Sequence, residues 1–582
     1  MTAFAALTRY SRASFGAGER FTRIGEGPVG GKAAGLLRIL ERLDAAFPDG
    51  RFGPFEVTVP SFTVIAADWF ESFLEENGLP GALDRLRDGE IAMAFQRANL
   101  PVGLVGDLRA LMEDVRAPLA LRSSSLLEDA LEHPFAGVYG TKMTPNDQLD
   151  ADTRFTRMVE AIKFVWASTF FAAARAYRAR VGAGESERMA VLVQEVVGRR
   201  HQTRHYPDVS GVARSLAFYR FGGTAPEEGI AQLALGLGRT IVQGEPAWTF
   251  CPARPKAMPP YRSPGELLHE TQTRFWAVRT GEPPEYDPTR ETEYLVHATL
   301  ADAEKDGTLS FTASTLDPRS ERLVPGLGRA GPRVLTFAPL LVLDELPLAA
   351  LVRTLLALTG DAMGGPVELE FAVTLPDAGD AAPRFCVLQA RRMAVSSESV
   401  DLTAERRGWV PLVSSDHMLG NGVVEGIADV VYLVPERFDA GKTPIMAAEI
   451  AGLNRRLLDE GRPYLLIGFG RWGSADPWLG VPVNWGDVSG AGVMVETSPR
   501  GRPIEMSQGS HFFHNLAAFS VPYACVPEGG ETIDWEWLRA RPAEFETAFV
   551  RHVRLEAPLL VEVDGRVGEG AVLRRADEDG PQ

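Results

Sequence analysis

Val367-Glu368-Leu369-Glu370-Phe371 and, a little further on, Phe385-Cys386-Val387-Leu388-Gln389-Ala390-Arg391 are the stretches on which the reading of this chain turns. Alternation of apolar and acidic residues puts Glu368 and Glu370 on one face of a strand, and Gln389 and Arg391 share a face in the same way. Paired, the two strands would offer oxygens to Mg²⁺, which takes a few carboxylate oxygens together with nucleotide phosphates and water. Arg391 would lie beside them as a fork for phosphate. Either strand taken alone reads equally well as a solvated strand face.

Working outward, Leu119-Ala120-Leu121-Arg122-Ser123-Ser124-Ser125 reads as a buried strand ending in an arginine and hydroxyls, with Glu128-Asp129 and Phe135-Ala136-Gly137 beyond it. Arginine can clamp phosphate oxygens, and hydroxyls and amides can supplement it; a serine-rich turn with a salt-bridged arginine is the plain alternative. Gly30-Gly31-Lys32-Ala33-Ala34-Gly35-Leu36 sets a lysine in a glycine turn that opens a helix. Amides at such a turn can approach an anion, although many such turns merely start a helix. Lysine is scarce here: Lys32, Lys142, Lys163, Lys256, Lys305 and Lys442 stand against a large excess of arginine.

Around these segments short strands alternate with helices. Strands are predicted over 55–58, 61–65, 119–122, 190–197, 366–373 and 384–389, and helices over 33–43, 154–180 and 346–359. The proline-rich stretch 253–288 reads as an irregular excursion. The polar run 394–407 (AVSSESVDLTAERR) reads as an interdomain connection. Beyond it, strands are expected over 422–434, 464–467, 492–495 and 522–526, with a helix over 510–519. A length of 582 residues calls for more than one core.

The formal charge of −17 argues against a nucleic-acid surface. The cysteines Cys251, Cys386 and Cys525 lie far apart, with no zinc spacing and no disulfide framework, which suits a reducing cytoplasm. The N-terminal stretch does not read as a signal peptide, and no apolar run is long enough for a membrane span.

The segments GGKAAGL, ALRSSSLLEDA…PFAG, MAVLVQEVV, GLGRTIVQG and VELEF…VLQAR occur in the order and rough spacing found in the phosphoenolpyruvate synthase and pyruvate phosphate dikinase family, and the chain resembles its nucleotide half, intermittently, over most of 22–391. The resemblance implies an ATP-grasp fold of mixed α/β and α+β character, with ATP between two subdomains. It implies that Lys32 and Arg122 contact phosphates, that Glu370 and Gln389 bind Mg²⁺, and that Arg391 lies on the phosphate side. Glu368 stands where the family often has aspartate. The Gln194-Glu195-Val196-Val197 edge would face adenine. Between Ser210 and Gly223 the sequence departs from the family pattern, leaving the roles of Arg214 and Ser215 open.

In full-length relatives a small swivelling β/α domain carries a phosphorylated histidine. Here Ser507-Gln508-Gly509-Ser510-His511-Phe512-Phe513-His514-Asn515 resembles that signature, with Phe512 and Phe513 where small residues are usual. Three further segments resemble the same domain: Gly420–Gly426, Asp476-Pro477-Trp478 and Gly490–Glu496. The layout is therefore an ATP-binding domain over 1–393, a linker over 394–408 and a phosphohistidine-like domain over 409–582. His511 is the expected carrier and Ser510 the cap of its helix. The loop Gly468–Asp476 either binds an anionic or aromatic acceptor through Arg471 and Trp472 or packs its tryptophan in a small core. Too few residues follow His511 for the (β/α)₈ barrel on which relatives bind pyruvate. The expected activity is ATP-dependent phosphotransfer through His511 to an acceptor that is a small molecule or a partner protein. Direct transfer without phosphohistidine and a non-catalytic ATP-sensing module are the alternatives.

Overall fold

The computed structural model describes residues 7–10, 20–79, 81, 83, 86–125, 138–181, 187–217, 224–257, 267–268, 271–376, 382–393, 408–474, 476, 478–498, 516, 521–526, 532–565 and 568–576. The chain falls into two compact units, one drawn from Met1–Met393 and the other chiefly from Ala394–Gln582.

Two sheets and one helix organise the first unit. Helix Gly30–Ala46 buries Ala33, Leu36, Leu37 and Leu43, a spacing that keeps one face inward. Its start is set by Gly30, whose φ of +77° favours glycine and whose added Cβ would lie 1.7 Å from the Ser124 carbonyl oxygen. Gly35 allows the helix to press on the strand Arg384–Arg392, since a Cβ there would meet the Ala390 carbonyl at 3.0 Å.

A six-stranded sheet runs in the order Thr8–Arg9, Phe21–Ile24, Phe62–Ile65, Met189–Glu195, Leu119–Ser125, Thr141–Thr144. A seven-stranded sheet runs Trp248–Phe250, Ile230–Ala234, Val209–Arg214, Val367–Thr374, Arg384–Arg392, Phe55–Thr58, Arg51–Phe52. On the strand Val367–Thr374, Val367, Leu369, Phe371 and Val373 enter the main core with Phe385, Val387 and helix residues Leu36, Leu351 and Val352. Alternation leaves Glu368, Glu370 and Ala372 on the opposite face.

Two expectations for this unit are corrected by the structure. The predicted helix over 154–180 is two helices, Ala151–Ser168 and Ala172–Val181. At the break the hydroxyls of Ser168 and Thr169 bond back to the carbonyls of Val165 and Trp166, each at 2.6 Å, which competes with helix continuation. The stretch 253–288, expected to be irregular, contains the strand Arg274–Arg279, with Phe275 and Ala277 buried; it belongs to a four-stranded sheet with Leu295–Thr299, Arg204–Tyr206 and Arg199–His201.

The second unit is built on a nine-stranded sheet. Its path begins at Trp409–Ser415 and ends at Met418–Leu419. Only Asp416 and His417 separate those two strands in the chain, so the sheet has to curl back on itself. Its middle, Val550–Asp564 beside Gly422–Leu433, Tyr464–Phe469 and Ala491–Thr497, surrounds Val430, Tyr432, Ile467, Val495 and Val561. The sequence reading did not anticipate the hairpin formed by Val550–Asp564 and Glu569–Arg575, nor the helix Thr443–Asp459. No helix among the described residues is long and apolar enough to cross a membrane.

Candidate functional site

Two rows of polar side chains cross the outer face of the seven-stranded sheet. The first pairs Glu370 with Gln389, and the second places Glu368 between Arg391 and Arg214 on its two neighbouring strands. The rows depend on an irregularity in the ladder between Val367–Thr374 and Arg384–Arg392. Phe371 faces Val387 while Glu370 faces Gln389, so Leu388 is an extra residue. The bulge turns Gln389 onto the face already held by Cys386. It also leaves the Leu388 carbonyl accepting from Arg122 Nη1 at 3.2 Å.

Arg122 comes from the other sheet, on the strand Leu119–Ser125. Its Nη2 donates to Glu370 Oε2 at 2.9 Å and to Gln389 Oε1 at 2.6 Å. Both oxygens thus converge on one cationic nitrogen. Hard oxygen donors gathered at one point are what Mg²⁺ requires, and the residues present fit that ion.

In the second row each arginine takes its own carboxylate oxygen. Arg214 bonds Glu368 Oε2 through Nε and Nη2, both at 2.7 Å, and Arg391 bonds Oε1 at 2.9 and 2.6 Å. All three side chains are buried. Two guanidiniums thus share one carboxylate.

Lys32 is buried at the helix start, and its Nζ lies 3.2 Å from Ser123 Oγ, beside Arg122 in the chain. Ser124 Oγ donates to the Val29 carbonyl at 2.8 Å and accepts from Ala33 N at 3.3 Å, and Ser125 Oγ donates to Glu187 at 2.5 Å. In this structure these hydroxyls join the strand to the helix start and to a buried carboxylate.

At the opposite end of the same face, Val197, Ala372 and Cys386 form a small apolar cluster with Leu388. Beside it is a cavity of about 300 Å³ lined in part by Glu56, Thr58, Glu195, Val197, Arg384 and Cys386. Burial pushes the Glu195 carboxyl above its ordinary range, against the pull of Arg384 and Arg20. Burial also pushes the Cys386 thiol up to about 11. Gln194 is buried, and its Nε2 has no hydrogen-bond partner among the described residues.

Arg122, Glu370 and Gln389 are therefore brought into direct contact, Glu368 joins Arg391, and Lys32 approaches through Ser123. The structure adds Arg214, which the sequence reading left open. Its cue was a strand, Val209–Arg214, that ends in arginine much as Ala120-Leu121-Arg122 does. Glu128, Asp129, Phe135–Gly137, the connection 394–407, His511, His514 and nearly all of the helix expected over 510–519 lie outside the described residues.

Trp472 is buried and donates to the Val495 carbonyl at 3.1 Å, and a Cβ on Gly468 would lie 2.2 Å from its ring, so the tryptophan fills a core. Asp429, Glu544 and His552 lie close enough together to hold a metal. Arg462 bonds both carboxylates, Asp429 at 2.5 Å and Glu544 at 3.0 Å.

No curated protein matches the chain. Residues 26–407, well over half of its length, match the family model for the AMP/ATP-binding domain of pyruvate phosphate dikinase, and the chain belongs to that family.

Proposed function

We propose that the protein is an ATP-dependent phosphotransferase of the dikinase type, binding Mg-ATP on the outer face of the seven-stranded sheet in the ATP-grasp manner. The convergence of Glu370 and Gln389 oxygens on one Arg122 nitrogen, inside a domain of an AMP/ATP-binding family, carries this reading. The base would lie toward Gln194, Glu195 and Val197, where the cavity of about 300 Å³ adjoins an apolar cluster; that volume is at the lower end of the range for small-molecule pockets. The phosphates would run along the sheet past Glu370 and Gln389 toward Arg391, with Lys32 and Arg122 beside them.

Phosphoryl transfer asks a protein mainly for positioning and charge. Glu370 and Gln389 would hold Mg²⁺, which when bound supplies positive charge against that developing on the transferred group. Arg122 now spreads its two terminal nitrogens over Glu370, Gln389 and the Leu388 carbonyl, and its planar fork can take phosphate oxygens in their place. Lys32, with its compact charge on a flexible stem, adds a second cation.

In this reading the chain works as an ATP-binding domain over 1–393, a linker over 394–408 and a swivelling domain over 409–582. It acts in the cytoplasm, and His511 accepts the phosphoryl group and passes it to a small molecule or a partner protein. A direct kinase is the second reading, favoured by Phe512 and Phe513 where the family signature has small residues. Incubation with ATP labelled separately at the β- and γ-phosphates separates the two. AMP and inorganic phosphate as products, with one of the two outer phosphates held acid-labile on His511 and the other released to water, and with that protein-bound phosphate lost in His511→Ala, support the dikinase route. ADP, with full turnover in His511→Ala, overturns it in favour of direct transfer.

A further inference from the structure

We infer that Arg214 is a ligand of the terminal phosphate, forming with Arg391 a pair of guanidiniums oriented by Glu368 at the far end of the nucleotide path. The inference rests on the nucleotide reading above and goes beyond it, because neither the family match nor the sequence pattern assigns Arg214 a role.

The geometry is that of successive rows on one face of the strand Val367–Thr374. Ala372, Glu370 and Glu368 point the same way, and alternate strand residues stand about 6.6–6.8 Å apart. Ala372 lies in the apolar cluster with Val197 and Cys386, at the base end. Glu370 lies in the row with Gln389 and against Arg122, at the proposed metal. Glu368 lies one row further on, between Arg391 and Arg214. A nucleotide laid along that line with its base at Ala372 brings its last phosphate to the third row.

That row is built for an anion. Glu368 Oε1 takes Arg391 and Oε2 takes Arg214, and this fixes both guanidinium planes before any ligand arrives. Arg214 and Glu368 are each 2% exposed and Arg391 is 8% exposed, so their charges are only weakly screened by solvent. Val212 and Glu370 pair in the preceding row, which keeps Arg214 on the site's own face of the sheet. A role confined to holding the sheet together would not depend on how many phosphates the nucleotide carries.

The test is calorimetry of the full chain with Mg-AMP-PNP and with Mg-ADP, comparing the wild type with Arg214→Gln and Arg214→Lys. Glutamine retains a donor for Glu368, and Arg391 still balances that carboxylate, so the sheet keeps its buried pair; a thermal melt confirms folding. The expected result for Arg214→Gln is AMP-PNP affinity lowered by about 10- to 100-fold, the loss of one charge-assisted contact. ADP affinity should stay within about twofold, and Arg214→Lys should recover part of the difference. Equal loss of both ligands, or no loss of either, would overturn the assignment and leave Arg214 a structural partner of Glu368. A wild-type chain that binds neither nucleotide would overturn the nucleotide reading itself, and this inference with it.

Discussion

Arg122 and Glu370, on strands of different sheets, form an ion pair at 2.9 Å in which both side chains are about one-sixth exposed. The pair places a cation against the carboxylate proposed to hold Mg²⁺ and fixes the position of that side chain. Glu370→Gln keeps the shape and removes the charge. Turnover should fall by about 10²-fold or more, since metal charge acts chiefly on the transferred group, while ATP affinity should fall much less. A Glu370→Gln protein that consumes ATP at the wild-type rate would remove Glu370 from the metal site.

Lys32→Ala and Arg122→Ala should each weaken Mg-ATP binding by roughly 1.5–3 kcal/mol, the worth of a hydrogen bond to a charged group. The two variants differ in what they leave behind. Lys32→Ala takes a partner from the Ser123 hydroxyl, whereas Arg122→Ala takes one from Glu370, Gln389 and the Leu388 carbonyl. The Arg122 variant should therefore also lower the urea midpoint. Wild-type affinity in both would move the phosphates elsewhere on the protein.

How much of this was legible beforehand depended on how local the cause was. The strand Val367–Thr374 and the shared face of Glu368 and Glu370 follow from alternation within a few residues. The bulge at Leu388 left no mark, because an extra leucine beside Val387 reads as one more apolar strand residue. Arg214 was obscure for another reason: the carboxylate that fixes it lies 154 positions away, and only the pairing of Val209–Arg214 with Val367–Thr374 brings them together. The strand Arg274–Arg279 was masked by flanking prolines, although Phe275 and Ala277 alternate inward within it. The helix break at Ser168 and Thr169 came from hydroxyls turning back onto carbonyls, which apolar periodicity cannot register.

In the second unit, Asp429 should make folding sensitive to acid. Burial pushes its carboxyl up, but hydrogen bonds from His552 and Arg462 outweigh this and hold it below the usual carboxylate range. A carboxyl depressed in the folded state contributes stability that is fully present above its unfolded value of about 3.9 and is lost as pH falls through the folded one. The second unit should therefore lose stability below about pH 4, and Asp429→Asn should remove part of that dependence, because Glu460, Asp534 and Glu544 are held low as well. At neutral pH the same variant should cost about 3 kcal/mol, as expected when one partner of a buried pair is removed. Chemical denaturation at pH 7 and at pH 3.5–4.5 checks both, and an Asp429→Asn chain with the wild-type acid profile would show that another group sets it.

Gly30 ties the helix start to the strand that carries Arg122, and it makes the most geometric of these predictions. Its φ is +77°, and a Cβ would lie 1.7 Å from the Ser124 carbonyl oxygen and 2.5 Å from Ser124 Oγ. Gly50 has a similar φ of +69°, but a Cβ there meets nothing within 4 Å. Gly50→Ala should therefore cost only the left-handed backbone penalty, about 1–2 kcal/mol. Gly30→Ala adds a backbone collision and should cost roughly 2–5 kcal/mol in all. The collision can be relieved only by moving Ser124, and with it Arg122 two residues away, off the oxygens of Glu370 and Gln389. Gly30→Ala should thus lower both the urea midpoint and Mg-ATP affinity, whereas Gly50→Ala should lower the midpoint alone. Equal effects of the two variants on the midpoint, with nucleotide affinity untouched by either, would mean that the helix start does not position Arg122.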